Sequence, residues 1–221
     1  MSTIAERYAR IRASLPSHIT LVAVSKYHTV AEMMQAYDVG VRDFGESREQ
    51  ELLEKTRQMP ADVRWHYIGH LQRNKVSKIV PLVHLIQSVD SLRLLQEIDR
   101  RAEQAGRRIN CLLQVHVAEE STKFGFTTRE LVDFVERGEW KSYPHVCLVG
   151  LMAMATHTDD TGRVESDFRA AYDVFNAVRA RMGEQQFSIL SMGMSEDYEL
   201  AIGQGSTMVR IGSAIFSDNQ D

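Results

Sequence analysis

The chain has 221 residues, 43% of them hydrophobic, enough to bury one large core. Its 26 Lys and Arg against 30 Asp and Glu give a net charge of −4, a mild acidity that speaks against a general nucleic-acid or membrane-surface binder. No run is long enough to span a bilayer, and the opening "MSTIAERYARIR" lacks the apolar stretch of a secretory signal. The two cysteines, Cys111 and Cys147, lie in apolar strand-like runs, so buried free thiols and a cytoplasmic chain are expected.

Thr3-x-x-Glu6 is a capping box for an N-terminal helix that carries Ile4, Tyr8, Ile11 and Leu15 and stops at Pro16. Apolar, β-rich runs then alternate with amphipathic ones. Strands are predicted at roughly 20–25, 41–45, 65–69, 84–89, 110–117, 146–152, 187–191 and 207–212. Between them, "SLRLLQEIDRRAEQAG" puts Leu92, Leu95, Ile98 and Ala102 on one helical face, ended by Gly106. "TTRELVDFVERG" opens with a second capping box, Thr127-x-x-Glu130, and closes at Gly138. Val164, Phe168, Ala171, Phe175, Val178 and Met182 form the stripe of a longer helix. A further helix is expected to start at Ser195, with Glu196 and Asp197 in its first turn.

Strand–helix alternation predicts parallel pairing and right-handed crossovers. Eight such units predict a single (β/α)8 TIM barrel over residues 1–221, with an extra N-terminal helix. An open doubly wound sheet is the alternative, but the first strand lacks the G-x-G-x-x-G turn that usually accompanies it.

A barrel carries its chemistry at the C-terminal ends of its strands. The first strand ends at Ser25-Lys26, the seventh in "SMGMS" (Ser191, Met192, Gly193, Met194, Ser195) and the eighth in "RIGS" (Arg210, Ile211, Gly212, Ser213). Loops after strands seven and eight are a frequent phosphate site, and glycine lets backbone amides approach an anion closely. Strand-to-helix turns favour Gly and Ser in any case, so the pair of loops, rather than either one, carries the reading. Lys26 at the mouth of a hydrophobic strand reads as an amine whose burial favours the neutral, nucleophilic form. A phosphate site beside a carbonyl-reactive lysine points to pyridoxal 5′-phosphate (PLP) or to a sugar-phosphate aldehyde. Arg210 shares a strand face with Gly212. There it would donate to the PLP ring nitrogen and damp its electron-sink chemistry, unless it forms a salt bridge inside the barrel, with Glu46 as the candidate partner.

The stretches "LVAVSK", "FGESREQEL", "WHYIGHLQRNK", "LLQVHVAEESTKFGF", "LVGLMAM" and "LSMGMSEDYELAIGQGSTMVRIGSAIF" resemble the pyridoxal phosphate homeostasis protein family, over essentially the whole chain. The resemblance implies a barrel similar to the N-terminal domain of alanine racemase, with PLP held as a Schiff base on Lys26. It implies Ser191, Met192, Gly212 and Ser213 around the phosphate, Arg210 facing the ring nitrogen, and His66 and Ile68 lining the cofactor's surroundings. Three positions depart from the family pattern: Ser47 replaces the Asn after "FGE", Met154-Ala155-Thr156-His157 replaces the prolines after "GLMA", and Tyr27 follows the lysine.

Racemases of the alanine type take a second base, a tyrosine, from a β-domain of a partner subunit, and no such domain follows Gly212 in this sequence. The expected role is therefore a monomeric PLP carrier that buffers the cofactor and delivers it to apo PLP-dependent enzymes, with little or no catalysis. A weak PLP-dependent amino-acid racemase and a Schiff-base aldolase are the alternatives. His66-x-x-x-His70 has metal-pair spacing, but its strand-like context and missing glutamate argue against a metal. "QRNK" reads as a solvated helix start, Lys123 as part of a helix-entry loop, Phe124 and Phe126 as core plugs, and Met152 and Met154 as barrel filling.

Overall fold

The structure, a computed structural model, describes residues 2–118 and 124–217. Strands β1 (Thr20–Val24), β2 (Asp43–Glu46), β3 (Arg64–Tyr67), β4 (Leu85–Val89), β5 (Ile109–Gln114), β6 (Val146–Met152), β7 (Ile189–Ser191) and β8 (Met208–Ile211) pair in parallel and close into a barrel in sequence order. The helices are α1 (Ile4–Ser14), α2 (Val30–Asp38), α3 (Glu49–Lys55), α4 (Val76–Ile79), α5 (Leu92–Gln104), α6 (Thr128–Glu136), α7 (Thr161–Met182), α8 (Tyr198–Gly203) and α9 (Ser213–Phe216). This is the (β/α)8 TIM barrel, with α1 as the added N-terminal helix.

A strand that reads as uniformly apolar still alternates in space. Val22 joins Leu85, Leu112, Met152 and Met208 inside the barrel. Its neighbours Leu21 and Ala23 face the helical shell. That shell is the larger core. The stripe on α7, from Val164 to Met182, is buried throughout, and each fully buried large apolar side chain contributes about 1.5–3 kcal/mol. Both expected capping boxes form, and Thr29 with Glu32 makes a third on α2.

Several expectations change. α8 begins at Tyr198 rather than Ser195, because the Asp197 carboxylate accepts the Met194 amide at 2.6 Å and shapes a turn first. Cys111 is buried, whereas Cys147 is only half-buried, and both are free. On α5, Leu94 takes the buried place expected of Leu92, which is half-buried. Phe126 is buried, but Phe124 is 53% exposed and stacks on His70 with ring centroids 3.7 Å apart. "QRNK" forms a short 3-10 turn over Arg73–Lys75 ahead of α4. Lys123 lies outside the described residues. Among the described residues, no helix is long and apolar enough to cross a membrane.

Candidate functional site

Barrel closure assembles the site. β1 pairs with β8 from Thr20↔Met208 to Ala23↔Ile211, which sets Val24 beside Gly212. A side chain at Gly212 would begin 3.1 Å from the Val24 carbonyl oxygen, so only glycine leaves this seam undisturbed. Lys26 stands two residues beyond Val24, at the same mouth. It is exposed, not desolvated as expected, because the chain leaves the barrel wall directly after the buried Ser25. Among the described residues no hydrogen bond or ion pair engages its amine.

The residues on either side of Lys26 are held firmly. Ser25 donates its hydroxyl to Glu46 Oε1 at 2.6 Å. Lys55 donates to the Ser25 carbonyl at 2.8 Å, to Glu46 Oε1 at 2.7 Å and to Glu51 Oε2 at 2.9 Å. Burial pushes the Glu46 carboxyl above the usual range, and its bonds to Lys55 and Ser25 pull it back. The expected alternative of an Arg210–Glu46 salt bridge does not occur, since Glu46 faces Lys55 on α3. Beyond Lys26, the Tyr27 amide donates to Glu51 Oε2 at 2.9 Å, and Arg48 lies over the Tyr27 ring and donates to its hydroxyl. Tyr27 has φ of +69°, a left-handed conformation unusual for a tyrosine and found where surrounding contacts enforce it.

The two loops predicted as an anion site meet through Ser195, expected both in that site and at a helix start. Ser195 Oγ accepts the amides of Gly212 at 3.3 Å and Ala214 at 3.5 Å, which leaves its own proton to donate. Gly193 has φ of +95°, and a side chain there would begin 2.6 Å from Ala201 Cβ. Its carbonyl accepts the Arg210 amide at 3.0 Å, tying the loop after β7 to β8. α8 and α9 are so short that loop amides and hydroxyls, rather than a helix dipole, are the available donors. Burial raises the Asp197 carboxyl, against the pull of the Met194 amide and the Arg210 charge.

Arg210 lies beneath this mouth, buried and facing inward as strand alternation requires. It donates to the Ser191 carbonyl at 2.9 Å, the Ser191 hydroxyl at 2.7 Å and the Ala153 carbonyl at 3.0 Å. Burial pushes its pKa down to about 10, partly offset by Asp197, so it stays charged at neutral pH. The loop after β6, where the family prolines are missing, is pinned by Thr156, whose amide and hydroxyl donate to the buried Asp167 at 2.8 and 2.6 Å.

The remaining predicted residues separate by depth. Ile68 is half-buried at the mouth, with Cδ1 3.3 Å from where a Gly45 side chain would begin. Ser47 is half-buried there too, its backbone pressed against Gly69. Ser213 is exposed as the first residue of α9. Met192 and Ile211 turn their side chains into the outer core and offer only backbone. Ser191 is fully buried, its hydroxyl committed to Gln87 at 2.7 Å as well as to Arg210. His66 lies deeper still, bonded to Gln87 and Asp43, and lines a cavity of about 250 Å³ at the N-terminal end with Arg64, His84 and Asn110. His70 pairs with Asp90 instead of joining His66, and among the described residues no group of three metal-ligating side chains forms. Sequence reasoning placed Ser195 in the loop after β7 but missed Lys55 and Asp43, and gave Gln87 no role. Only Gln87 carried a signal, as a polar residue inside the apolar run "LIQSV".

The family model for the N-terminal domain of alanine racemase matches residues 1–220. The pyridoxal phosphate homeostasis protein of Synechocystis sp. (strain ATCC 27184 / PCC 6803 / Kazusa) is 36% identical over 213 residues, covering 96% of each chain. That of Pasteurella multocida (strain Pm70) is 35% identical over 203 residues, covering 90% of this chain and 86% of its own. PipY of Synechococcus elongatus PCC7942, solved without and with PLP bound, superposes with TM-scores of 0.92 and 0.88 at 34% identity, covering 97% of this chain and 100% of its own. With this fold, these relatives and this match along its length, the chain belongs to the pyridoxal phosphate homeostasis protein family, built on the alanine racemase N-terminal domain.

Proposed function

We propose that this protein binds PLP as a Schiff base on Lys26 and serves intracellular PLP homeostasis, buffering the cofactor and delivering it to apo PLP-dependent enzymes. The observation that carries the reading is the β1–β8 register, which sets Val24 beside Gly212 and so puts Lys26, an amine that no described residue engages, two residues from that junction at the same mouth. The donor set fits PLP group by group. The Lys26 amine suits the aldehyde, with which it condenses by losing water. The Met194, Gly212 and Ala214 amides are taken up by Asp197 and Ser195, so the amides of Gly193, Ser195 and Ser213 and the hydroxyls of Ser195 and Ser213 are the donors that suit the phosphate. The buried Arg210 suits the ring nitrogen, and Gly193 and Gly212 let the two loops pack tightly on α8 and β1. Relatives named for PLP homeostasis and a solved relative with PLP bound support the same assignment.

Bound PLP supplies an electrophilic carbon and an electron-withdrawing ring. A charged Arg210 donating to the ring nitrogen keeps that nitrogen unprotonated and the withdrawal weak. That chemistry favours holding over turnover, and so a carrier over a racemase. The test is the visible spectrum of purified protein incubated with PLP, followed by borohydride reduction and peptide mass mapping. A yellow protein with a pyridoxyl group fixed on Lys26 supports the reading, and a colourless one that takes up no PLP overturns it. Steady interconversion of a D- and an L-amino acid, abolished by Lys26→Ala, would instead favour the racemase that the matched family model brings into question.

A further inference from the structure

Five side chains run in one hydrogen-bonded file through the barrel interior, from the N-terminal cavity toward the C-terminal mouth: Asp43, His66, Gln87, Ser191 and Arg210. The direction of each bond follows from its partners. Arg210 has only N–H donors, so Ser191 Oγ accepts from it and passes its own proton to Gln87 Oε1 at 2.7 Å. The Gln87 amide nitrogen then faces His66 Nδ1 at 3.0 Å and Met208 Sδ at 3.2 Å. Nδ1 therefore accepts, the ring proton sits on Nε2, and it points at Asp43 Oδ1 3.0 Å away. His66, Gln87, Ser191 and Arg210 are all buried, where each link strengthens its neighbours and a broken link is costly.

We propose that Asp43, His66 and Gln87 are positioning residues for the cofactor site, acting through Ser191 to fix which N–H groups Arg210 turns toward the bound ring. This rests on the PLP reading above. Two of the acceptors around Arg210 are backbone carbonyls and cannot turn; the Ser191 hydroxyl can. Gln87, by taking the hydroxyl proton, keeps an oxygen lone pair on the guanidinium. Without it that proton is free to swing toward Arg210 and repel it. A flipped Gln87 amide would present N–H to Ser191 and oxygen to an Nδ1 lone pair, so His66 holds the amide in place. Asp43 in turn holds the His66 tautomer. The file is not needed to fill space: its neighbours inside the barrel include Val22, Leu85, Leu112, Met152 and Met208, and apolar replacements of buried polar clusters are often neutral for stability.

The test loads wild type, Gln87→Leu, His66→Leu, Ser191→Ala and the His66→Leu/Ser191→Ala double variant with PLP. It records the absorption band, the PLP dissociation constant, the borohydride-fixed adduct and the apo-protein melting temperature. Each single variant still forms the Lys26 adduct, but shifts the band and weakens retention about tenfold, the size of one lost hydrogen bond to a charged group. His66 and Ser191 act on one file, so the double variant is no worse than Ser191→Ala alone. The band and affinity move without tracking the melting temperature. Wild-type bands and affinities in the single variants, or fully additive losses in the double, overturn the proposal while the PLP reading stands. If wild type itself takes up no PLP, both fall together. Should Gln87→Leu not fold, the His66→Leu/Ser191→Ala cycle, which keeps Gln87, separates the same two outcomes.

Discussion

Two lysines flank the end of β1, and their surroundings differ completely. Lys55, behind the barrel wall, is 8% exposed at its side chain and gives its three N–H donors to Ser25, Glu46 and Glu51. Lys26, in front of the same wall, is exposed, and no partner among the described residues holds its amine. The contrast separates architecture from chemistry. Behind the wall Lys55 and the carboxylates of Glu46 and Glu51 pair with one another and grip the Ser25 hydroxyl and carbonyl. At the mouth, one amine and a handful of loop donors are left for a ligand.

The contrast can be broken by substitution. The largest stability effect is expected from Glu46→Ala, which takes from the buried Lys55 one of its two carboxylates and from Ser25 its acceptor, and with Glu51 still on Lys55 costs about 3 kcal/mol in urea melts; Glu46→Gln, which keeps an acceptor for Ser25 and Lys55, costs less. A loss below about 1 kcal/mol would show that the cluster is not fixing the wall. Asp43 comes next. Burial alone would raise its carboxyl, but the His66 and Arg64 bonds outweigh it and hold the pKa at about 2 against 3.8 for the free group. The stability it contributes is full above about pH 4 and fades as pH falls through about 2. Asp43→Asn therefore costs about 2 kcal/mol at pH 7 and almost nothing at pH 2, read from denaturant midpoints at the two values. Arg64→Ala is milder, below about 1 kcal/mol, because Arg64 is half exposed and His66 remains on Asp43. Smallest for stability is Lys26→Ala, within about 0.5 kcal/mol of wild type, yet it removes all borohydride-fixable PLP while the loops retain some cofactor non-covalently. A large destabilisation by Lys26→Ala would mean that this amine, too, belongs to the architecture.

What the sequence made legible were features that declare themselves locally. Apolar runs ending in Ser25-Lys26, "SMGMS" and "RIGS" marked the mouth, and each of those ends lies there. The stripe of α7 and the caps at Thr3 and Thr127 followed from spacing, and Thr29-x-x-Glu32 had the same signature and was overlooked. The Asp43–His66–Gln87–Ser191 file was not legible. Its members sit 21 to 104 residues apart along the chain and meet only because the strands close a circle. The partner of Glu46 was misjudged for a related reason. Alternation along β2 turns Glu46 out toward α3, and only the register of that strand tells which face is which.

The seam between β1 and β8 also dictates an order of events. Val24 and Gly212 are neighbours in space but lie at opposite ends of the chain, so a nascent or partly unfolded polypeptide carries Lys26 without Arg210 or the Gly212 loop beside it. Capture of a ligand across that junction has to wait for the last strand to dock. On the proposed reading the ligand would staple first strand to last, and by mass action the opening of that junction would become rarer as its concentration rises.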